Sequence, residues 1–546
     1  MRLKKISPRV LLAGIFLCLP LACLAGTDAV RSLQVPSLGD AFIAPTIAEP
    51  INLIPLLASD SASAEVSRFI FNGLLKYDGD LNLVGDLAES WEVLDGGMRI
   101  VFHLHKKVYW HDGYLFKARD VVFTYLALVD PDVPTPYSSA FEKVESVFAP
   151  NDYTVEVRYK EPFSPGLTSW TMGILPMHIL QWDDLRTTKF SKNPIGTGPY
   201  VMKRWVRGEL IELKANPHYF EGGPNISRIV LRILPDPTTV FLELQNENLD
   251  TASLTPLQYN RQIQTDFFRT KYHAYDRTGL QYTYMGYNLE KPMFADKRVR
   301  QALAMAMDRD EMVSAVLMGR GRVTTGPFLP ESWAYDADVK PFSHDLSAAK
   351  NLLKEAGWED TDKDGVLDHA GRKFSFTVLT NGGNDQRRMT CEILQRQFSV
   401  LGVEMKIQVV EWSVLLKEFI HPRRFDAVLL GWNLALDPDI FDIFHSLRRG
   451  PGQFNFVSYN NPEVDRLLEE ARAEFDQEKR GSLYHRVHRL IYEDQPYAFL
   501  YASESLSALH KRFEGVTLGK LGVGHDFIRW NVPKERQKYL TFSADA

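Results

Sequence analysis

The sequence predicts an α/β protein, and three observations lead to this fold class. In residues 83–125 an alternating apolar pattern, typical of strands, gives way to helical spacing. In residues 373–410 two strand-like segments flank a helical segment around Cys391, which is the pattern of a βαβ unit. The chain has 546 residues, of which 45% are hydrophobic and 24% charged, so it can form two or three globular domains.

The stretch 83–125 predicts a hairpin followed by a helix. Apolar residues lie two apart on either side of the turn Asp95-Gly96-Gly97, which indicates two strands with one buried face. After Lys117 the apolar spacing becomes three and four residues, which indicates a helix. The apolar positions are Trp91, Val93, Met98, Ile100, Phe102 and Leu104 in the strands, and Ala118, Val121, Val122 and Tyr125 in the helix.

The same two patterns place the remaining elements. Gly357 is expected to end one of the helices, because glycine tolerates the left-handed conformation found there. No internal repeat or low-complexity segment occurs. Strands are predicted at 154–159, 195–205, 226–234, 280–289, 373–380, 404–410, 424–431 and 498–509, and helices at 64–77, 238–245, 298–318, 345–356, 461–475 and 481–493.

The amino-terminal residues 1–25 predict a secretory signal peptide, so the protein is expected to be exported. Four basic residues precede an apolar run that is too short to span a membrane. Two processing schemes stay open. Leu21-Ala22-Cys23 is close to a lipobox, which would make Cys23 a lipidated first residue, although Pro20 replaces the usual leucine. Cleavage after Ala25 would instead release the chain into the periplasm.

The charge of the mature chain argues against nucleic acid or an anionic membrane surface as a partner. Removing four basic residues from the 63 in the whole chain leaves 59 against 69 acidic residues, a net charge near −10. Outside the signal region only Cys391 remains, so no intramolecular disulfide is available. Its helical spacing predicts a buried, inert thiol.

A longer, ordered set of motifs resembles a known family. DLAESWEV is followed by FHL, WHDG and F-KARDVVFTY within residues 86–125. This order is similar to the signature of the periplasmic solute-binding proteins of family 5, which serve peptide and nickel ABC importers. The resemblance implies a two-lobe periplasmic-binding-protein fold, of the venus-flytrap type and class II, with an extra subdomain inserted in the first lobe.

The resemblance also implies how the chain is divided. Residues 26–284 would form the first lobe, with the inserted subdomain at about 66–195, and residues 285–497 the second lobe. Residues 498–546 would return to the first lobe. The segments 280–289 and 498–509 would then be the two crossings between lobes, and a solute would be buried when the lobes close.

The residues expected to contact ligand come from the same resemblance. The segment after the buried strand would line the cleft, but Ala435 stands where the family has an aspartate that grips the amino group of a peptide. Asp437, or Asp60 from the other lobe, would replace it, since a buried ammonium needs a carboxylate. The expected ligand-binding residues are Ser59, Asp60, Ser61, Tyr137, Gly431, Trp432, Asn433, Leu434, Ala435, Asp437 and Tyr501.

One acidic segment copies the first half of a calcium-binding loop. Asp360, Asp362, Asp364 and Asp368 alternate around Gly365, but Gly371 stands where a bidentate glutamate is needed. Two interpretations stay open, a structural calcium ion and a solvated acidic turn. No other cofactor is expected.

The predicted function is therefore the binding component of an ABC importer, not an enzyme. No GxSxG, SxxK or HExxH motif occurs. The expected partners are short peptides, a separate permease heterodimer and its ATPases, and the protein itself is expected to be a monomer, periplasmic or anchored on the extracytoplasmic side. Nickel chelates, oligosaccharides, a sensory module and a hydrolase are the alternatives.

Overall fold

The computed structural model describes residues 38–520 and 522–539. The predicted signal peptide 1–25, and Cys23 within it, lie outside the described residues. The described strands are Ala41–Thr46, Leu75–Tyr77, Leu83–Gly85, Ala88–Leu94, Arg99–Leu104, Val144–Asn151, Thr154–Tyr159, Tyr200–Val206, Leu210–Ala215, Arg228–Ile233, Thr251–Ser253, Tyr272–Thr278, Gln281–Tyr287, Gly321–Val323, Asp368–His369, Arg372–Lys373, Ser375–Asn381, Glu404–Val410, Ala427–Asn433 and Tyr497–His510.

Helices cover the sheets and connect their strands. Most of the longer ones begin at an aspartate, asparagine or threonine whose side chain accepts a backbone N–H of the first turn, as Asp345 and Asn461 do. The α-helices are Ser61–Ile70, Ala118–Val129, Met177–Leu180, Pro237–Gln245, Asp266–Lys271, Pro292–Ala295, Lys297–Ala306, Arg309–Ala315, Leu346–Glu355, Asp385–Ser399, Trp412–Val414, Phe441–Phe444, Pro462–Ala473 and Gln477–Asp494.

The first lobe contains two four-stranded sheets. In one, Ala41–Thr46 pairs in parallel with Arg228–Ile233, and Leu210–Ala215 and Tyr200–Val206 follow in antiparallel order. The other is wholly antiparallel, in the order Ala88–Leu94, Arg99–Leu104, Thr154–Tyr159, Val144–Asn151. This second sheet contains the predicted hairpin, with Ile100, Phe102 and Leu104 buried.

The second lobe is built on a mixed sheet. Gln281–Tyr287 lies between Ala427–Asn433 and Tyr497–His510, antiparallel to both. Ser375–Asn381 pairs in parallel with Glu404–Val410 and with Ala427–Asn433, and the helix Asp385–Ser399 connects the parallel strands. The predicted βαβ unit is therefore confirmed.

The chain passes between the lobes twice, which confirms the two-lobe α/β fold. Tyr497–His510 pairs through its first residues with Gln281–Tyr287 of the second lobe. From Glu504 onward it pairs with Tyr272–Thr278 of the first lobe. Between those two partners only residues 279 and 280 connect the lobes, so both crossings are short and permit hinge movement. The residue boundaries 26–284, 66–195, 285–497 and 498–546 stay predictions.

A buried ion cluster ties the carboxyl-terminal part to the first lobe. Arg512, 2% exposed, donates from Nε to Asp250 Oδ1 at 2.7 Å and from Nη2 to Asp250 Oδ2 at 2.6 Å. It also pairs with Asp40, at the start of the first strand. Three distant parts of the chain are joined here, because a buried guanidinium requires charged partners.

Two helix predictions are wrong in their bounds. The helix predicted at 64–77 covers Ser61–Ile70, and the chain is extended from Phe71. Gly73 follows, packed so closely on Thr171 that a Cβ would lie 2.6 Å from the Thr171 carbonyl oxygen. The single helix predicted at 298–318 is two helices, because Met307 is extended and Asp308 caps the second by accepting the Glu311 N–H.

Cys391 is buried in the helix Asp385–Ser399, and burial raises the pKa of its thiol to about 12. This confirms the prediction of a buried thiol and keeps it protonated, hence unreactive. Within residues 38–520 and 522–539, no helix has the length and apolar character needed to cross a bilayer.

Candidate functional site

The lobes enclose a cleft made of two adjoining cavities. The smaller, of about 840 Å³, is lined mainly by the first lobe and by residues 383–386 of the second. The larger, of about 1180 Å³, lies between residues 55–86 of the first lobe and residues 434–442 of the second. Arg68, Tyr77, Leu280, His525 and Phe527 line both cavities, so the two adjoin and share part of their walls.

The loop after the strand Ala427–Asn433 forms the second-lobe wall of the larger cavity. Leu434, Ala435 and Asp437, all predicted ligand residues, line it. The Leu434 N–H donates to the Leu280 carbonyl at 2.8 Å, which holds the loop against the crossing segment. These three predicted positions are therefore brought together at the cleft.

Trp432 lies in the preceding strand and packs in an aromatic row. Its ring is 5.3 Å from that of Phe454 and 6.1 Å from that of Phe456, and its Nε1 donates to the Tyr497 hydroxyl at 3.3 Å. The Phe454 ring also meets Tyr137 of the first lobe, edge to face at 5.8 Å. Trp432 is not among the residues that line either cavity, and it supports the cleft through this row.

Gly431 and Asn433 also lie in this strand and not on the cavity walls. A Cβ at Gly431 would come within 2.9 Å of Arg387 Nη2 and 3.0 Å of the Tyr282 carbonyl oxygen. Glycine therefore leaves room for the close approach of Arg387. Asn433 pairs with Gln281 at the end of the ladder.

Tyr137 lines the larger cavity from the first lobe. Its hydroxyl donates to the Ala58 carbonyl at 2.7 Å. Burial, together with the nearby charges of Asp60 and Asp442, raises the pKa of Tyr137 above its usual value. The hydroxyl is therefore neutral, and it ties two first-lobe segments at the edge of the cavity.

The segment Ser59-Asp60-Ser61 has a structural role. Asp60, 6% exposed, caps the helix Ser61–Ile70 by accepting the Ser63 N–H at 3.0 Å and the Ser63 hydroxyl at 2.5 Å. None of the three residues lines either cavity. The Asp60 carboxylate is therefore engaged in capping, and the structure does not bring it to the cleft as an amine partner.

Tyr501 lies in the core of the second lobe and not at the cleft. It is 1% exposed, and its hydroxyl is 2.9 Å from Thr390 Oγ1. Successive side chains of a strand point to opposite faces, and Tyr501 occupies the face that packs on the helix Asp385–Ser399. A ligand-contacting role for Tyr501 has no support from this position.

Three aspartates of residues 434–442 are paired with three arginines. Of these six residues, the sequence indicated only Asp437. Asp437 pairs with Arg480, with Nη1–Oδ2 and Nη2–Oδ1 distances of 2.8 and 2.7 Å. Asp439 Oδ2 accepts from Arg472 Nη2 at 2.7 Å and from its Nε at 2.8 Å. The only signal in the sequence is the density of carboxylates in 437–442, because the arginines come from elsewhere.

Asp442 completes this set. Its Oδ1 lies 3.4 Å from Arg448 Nε. Burial raises the pKa of Asp442, an effect that the charge of Arg472 opposes. The loop thus presents carboxylates to the cavity while arginines behind it compensate their charge, as buried carboxylates require.

Most of the charged side chains that line the larger cavity are carboxylates. Eight carboxylates line it, against the cationic side chains of Arg68, Lys76 and Arg472. Lys76 pairs with Glu221 at 2.5 Å and lies 3.7 Å from Asp86. Besides the three loop aspartates, the carboxylates are Asp78, Asp80, Asp86, Glu221 and Asp526.

The acidic segment 360–368 lies apart from the cleft. Carboxylate oxygens of Asp360, Asp362 and Asp368 come within 4.8 Å of one another. Asp364 instead pairs with Lys373. Asp360 accepts the backbone N–H of Asp364 at 3.1 Å and of Gly365 at 3.0 Å, which stabilises the turn. Both interpretations of this loop, a calcium site and a solvated acidic turn, stay predictions.

Comparison with known proteins agrees with the fold and the cleft. The family model of bacterial extracellular solute-binding proteins, family 5, matches residues 82–454. The oligopeptide-binding protein AppA of Bacillus subtilis is 37% identical over 507 residues, covering 90% of this chain and 91% of that protein.

Two solved structures extend the comparison. AppA of Bacillus subtilis with a bound nonapeptide superimposes with a TM-score of 0.87 at 35% identity, covering 92% of this chain and 100% of that one. NikZ of Campylobacter jejuni with Ni(L-His) has a TM-score of 0.82 at 29% identity, covering 90% of this chain and 99% of that one. The chain belongs to the bacterial extracellular solute-binding proteins of family 5.

Proposed function

We propose that this protein captures short peptides between its two lobes and delivers them to the permease of an ABC importer. The observation that carries this proposal is the cleft between the lobes, with two adjoining cavities of about 840 and 1180 Å³. Pockets for small molecules occupy roughly 300–1,000 Å³, so a single nickel chelate would leave much of this cleft empty. The nonapeptide bound to the similar protein AppA is a ligand of suitable size.

The chemistry of the walls also suits a peptide. Asp78, Asp80 and Asp526 line the larger cavity and take no part in the ion pairs described above, so they would stabilise a positively charged amino terminus that loses its hydration on burial. The smaller cavity is lined by the cations Arg68, Arg277 and Lys520, against the carboxylates Glu65 and Asp385, so a peptide carboxylate is more favourable there than in the larger cavity. Backbone groups of the peptide can form hydrogen bonds with the cavity walls and with bridging water. Such binding does not depend on the side chains, so peptides of varied sequence can be accepted.

Capture then follows from the two crossings. The open lobes admit a peptide, and rotation about residues 278–281 and 503–504 closes the cleft over it. A permease heterodimer and its ATPases are separate chains in this proposal, and the receptor acts as a monomer. It is retained outside the cytoplasm, either free in the periplasm after cleavage at Ala25 or anchored through a lipid on Cys23.

The decisive experiment is native mass spectrometry of the protein purified from its own extracytoplasmic compartment, followed by calorimetric titration with peptides of two to nine residues. We expect copurified peptides and micromolar or tighter binding of the longer ones. Binding of nickel–histidine or an oligosaccharide, with no binding of any peptide, would overturn the proposal. The mass of the mature chain distinguishes acylated Cys23 from cleavage after Ala25.

The proposal also excludes turnover. We expect bound peptides to be recovered intact after prolonged incubation, because the family consists of binding proteins. Hydrolysis of a peptide library by the pure protein would show a different function.

A further inference from the structure

Two arginines of the second lobe reach across to the first lobe. Arg472, at the end of the helix Pro462–Ala473, pairs with Asp439 of the cavity loop and donates from Nη2 to Ser139 Oγ at 3.0 Å. Ser139 belongs to the first lobe and is fully buried. The Arg472 guanidinium also lies 3.7 Å from the centre of the Phe441 ring.

Arg448 makes a second connection of the same kind. Its Nη2 is 2.5 Å from Glu142 Oε1 of the first lobe, and its Nη1 is 3.4 Å from Ser138 Oγ. Its Nε faces Asp442 of the cavity loop at 3.4 Å. The side chain of Arg448 is 5% exposed and that of Glu142 is 48% exposed, so only the arginine end of this pair is shielded from water.

Neighbouring contacts hold the same two surfaces together. The Ser164 hydroxyl of the first lobe donates to the Ala471 carbonyl at 3.3 Å. The Phe475 ring packs on Gly97, where a Cβ would come within 2.6 Å of Phe475 Cζ. The two arginines are therefore part of a wider contact between the second lobe and residues 97–164 of the first lobe.

Each of these guanidinium groups is shared between a carboxylate of the cavity loop and a group of the opposite lobe. When the lobes separate, the first-lobe partners are lost while the bonds within the second lobe can persist. The pair Arg480–Asp437 lacks this feature, because both residues belong to the second lobe. Shielding from water makes such charge-assisted bonds stronger than surface ion pairs.

We infer that Arg448 and Arg472, with Glu142 and Ser139, form a latch that holds the lobes closed and so sets the affinity for every ligand of the cleft. They are positioning residues, and the inference rests on the proposed function only in taking closure to be the step of capture. The apparent dissociation constant equals the intrinsic one divided by the fraction of closed protein. Weakening the latch therefore lowers the affinity for every ligand by one common factor.

The test uses Glu142→Gln and Arg448→Met, because neither residue lines a cavity, together with the double variant. The matched control is Arg486→Gln, which removes an ion pair to Glu463 within the second lobe. Affinities and dissociation rates are measured for at least three unrelated peptides, and small-angle X-ray scattering compares the free proteins.

We expect about tenfold weaker binding of every peptide in each single variant, faster dissociation and a larger radius of gyration of the free protein. The double variant should lose little more affinity than either single variant, while Arg486→Gln keeps the original affinity. Unchanged affinity in both single variants, or losses that differ more than about threefold among peptides, would refute the latch.

Two further outcomes remain decisive. If Arg448→Met fails to fold, Glu142→Gln decides alone, because the Glu142 side chain is 48% exposed and its replacement spares the core. If no peptide binds the unaltered protein, the proposed function fails. Scattering of the free variants then tests the latch separately, with an unchanged radius of gyration counting against it.

Discussion

Arg480 donates two hydrogen bonds to the Asp437 carboxylate, at 2.7 and 2.8 Å. The carboxylate expected to hold a ligand ammonium therefore already has a cationic partner. The Arg480 side chain is 8% exposed and that of Asp437 19% exposed. The Tyr484 hydroxyl lies 3.2 Å from Arg480 Nη2 and completes the site. The loop at the cleft is therefore held in place from behind by the helix Gln477–Asp494.

The first prediction follows from this pair. Asp437→Asn leaves the Arg480 guanidinium without a charged partner in a largely buried position, so we expect the free energy of unfolding to fall by about 1–3 kcal/mol. Urea denaturation measures the change, and the double variant with Arg480→Met should recover part of it. If stability is unchanged while peptide affinity collapses, Asp437 binds the ligand directly instead.

A second prediction concerns the strand that leads into the loop. Gly431→Ala places a Cβ within 2.9 Å of Arg387 Nη2 and 3.0 Å of a backbone oxygen, so we expect a loss of about 1–3 kcal/mol in the free energy of unfolding. Gly382→Ala is the control, because a Cβ there meets only ordinary contacts at 3.7 and 3.8 Å. Equal stability of the two variants would contradict the close packing at Gly431.

A third prediction concerns pH. Burial raises the pKa of Asp86 from 3.8 to about 6, against the effects of Lys76 and Asn72. The folded state thus binds the proton more tightly than the unfolded state. The contribution of Asp86 to stability is therefore present below pH about 4 and is lost as the pH rises to about 6, a change on the order of 2–3 kcal/mol.

Urea denaturation between pH 3.5 and 7.5 checks this sign. Asp86→Asn should remove that part of the pH dependence and leave the contributions of other groups. The interpretation is wrong if the original protein and the variant keep a constant difference in stability over the whole range.

A fourth prediction concerns the acidic segment 360–368. Lys373 pairs with Asp364, and backbone N–H groups satisfy Asp360, so we expect the loop to be stable without a metal. Millimolar Ca²⁺ should leave the melting temperature within about 1 °C of its value in chelator. An increase of several degrees that Asp362→Asn abolishes would instead establish a calcium site.

Much of the fold could be predicted from local pattern. The strands at 154–159 and 404–410 match the prediction residue for residue. The long helices were also found, because apolar periodicity is a local property. The helix predicted at 64–77 ends early, just before Gly73, whose backbone packs on Thr171. The helix predicted at 298–318 is interrupted where Asp308 caps a second helix.

The candidate site was predicted less completely. Tyr137, Leu434, Ala435 and Asp437 do line the larger cavity, whereas Tyr501 packs in the core and Asp60 caps a helix. A single position in a sequence carries no information on which face of a strand it occupies in the assembled sheet. That choice is made by the neighbours that pack against it.

The sequence by itself determined the α/β class and the family, because each depends on order and spacing along the chain. Only the tertiary structure decided which polar groups meet, since Arg448 and Glu142 are separated by 306 residues, and Arg472 and Ser139 by 333. Ion pairing depends on distance and on shielding from water, and both exist only after the lobes have folded and come together.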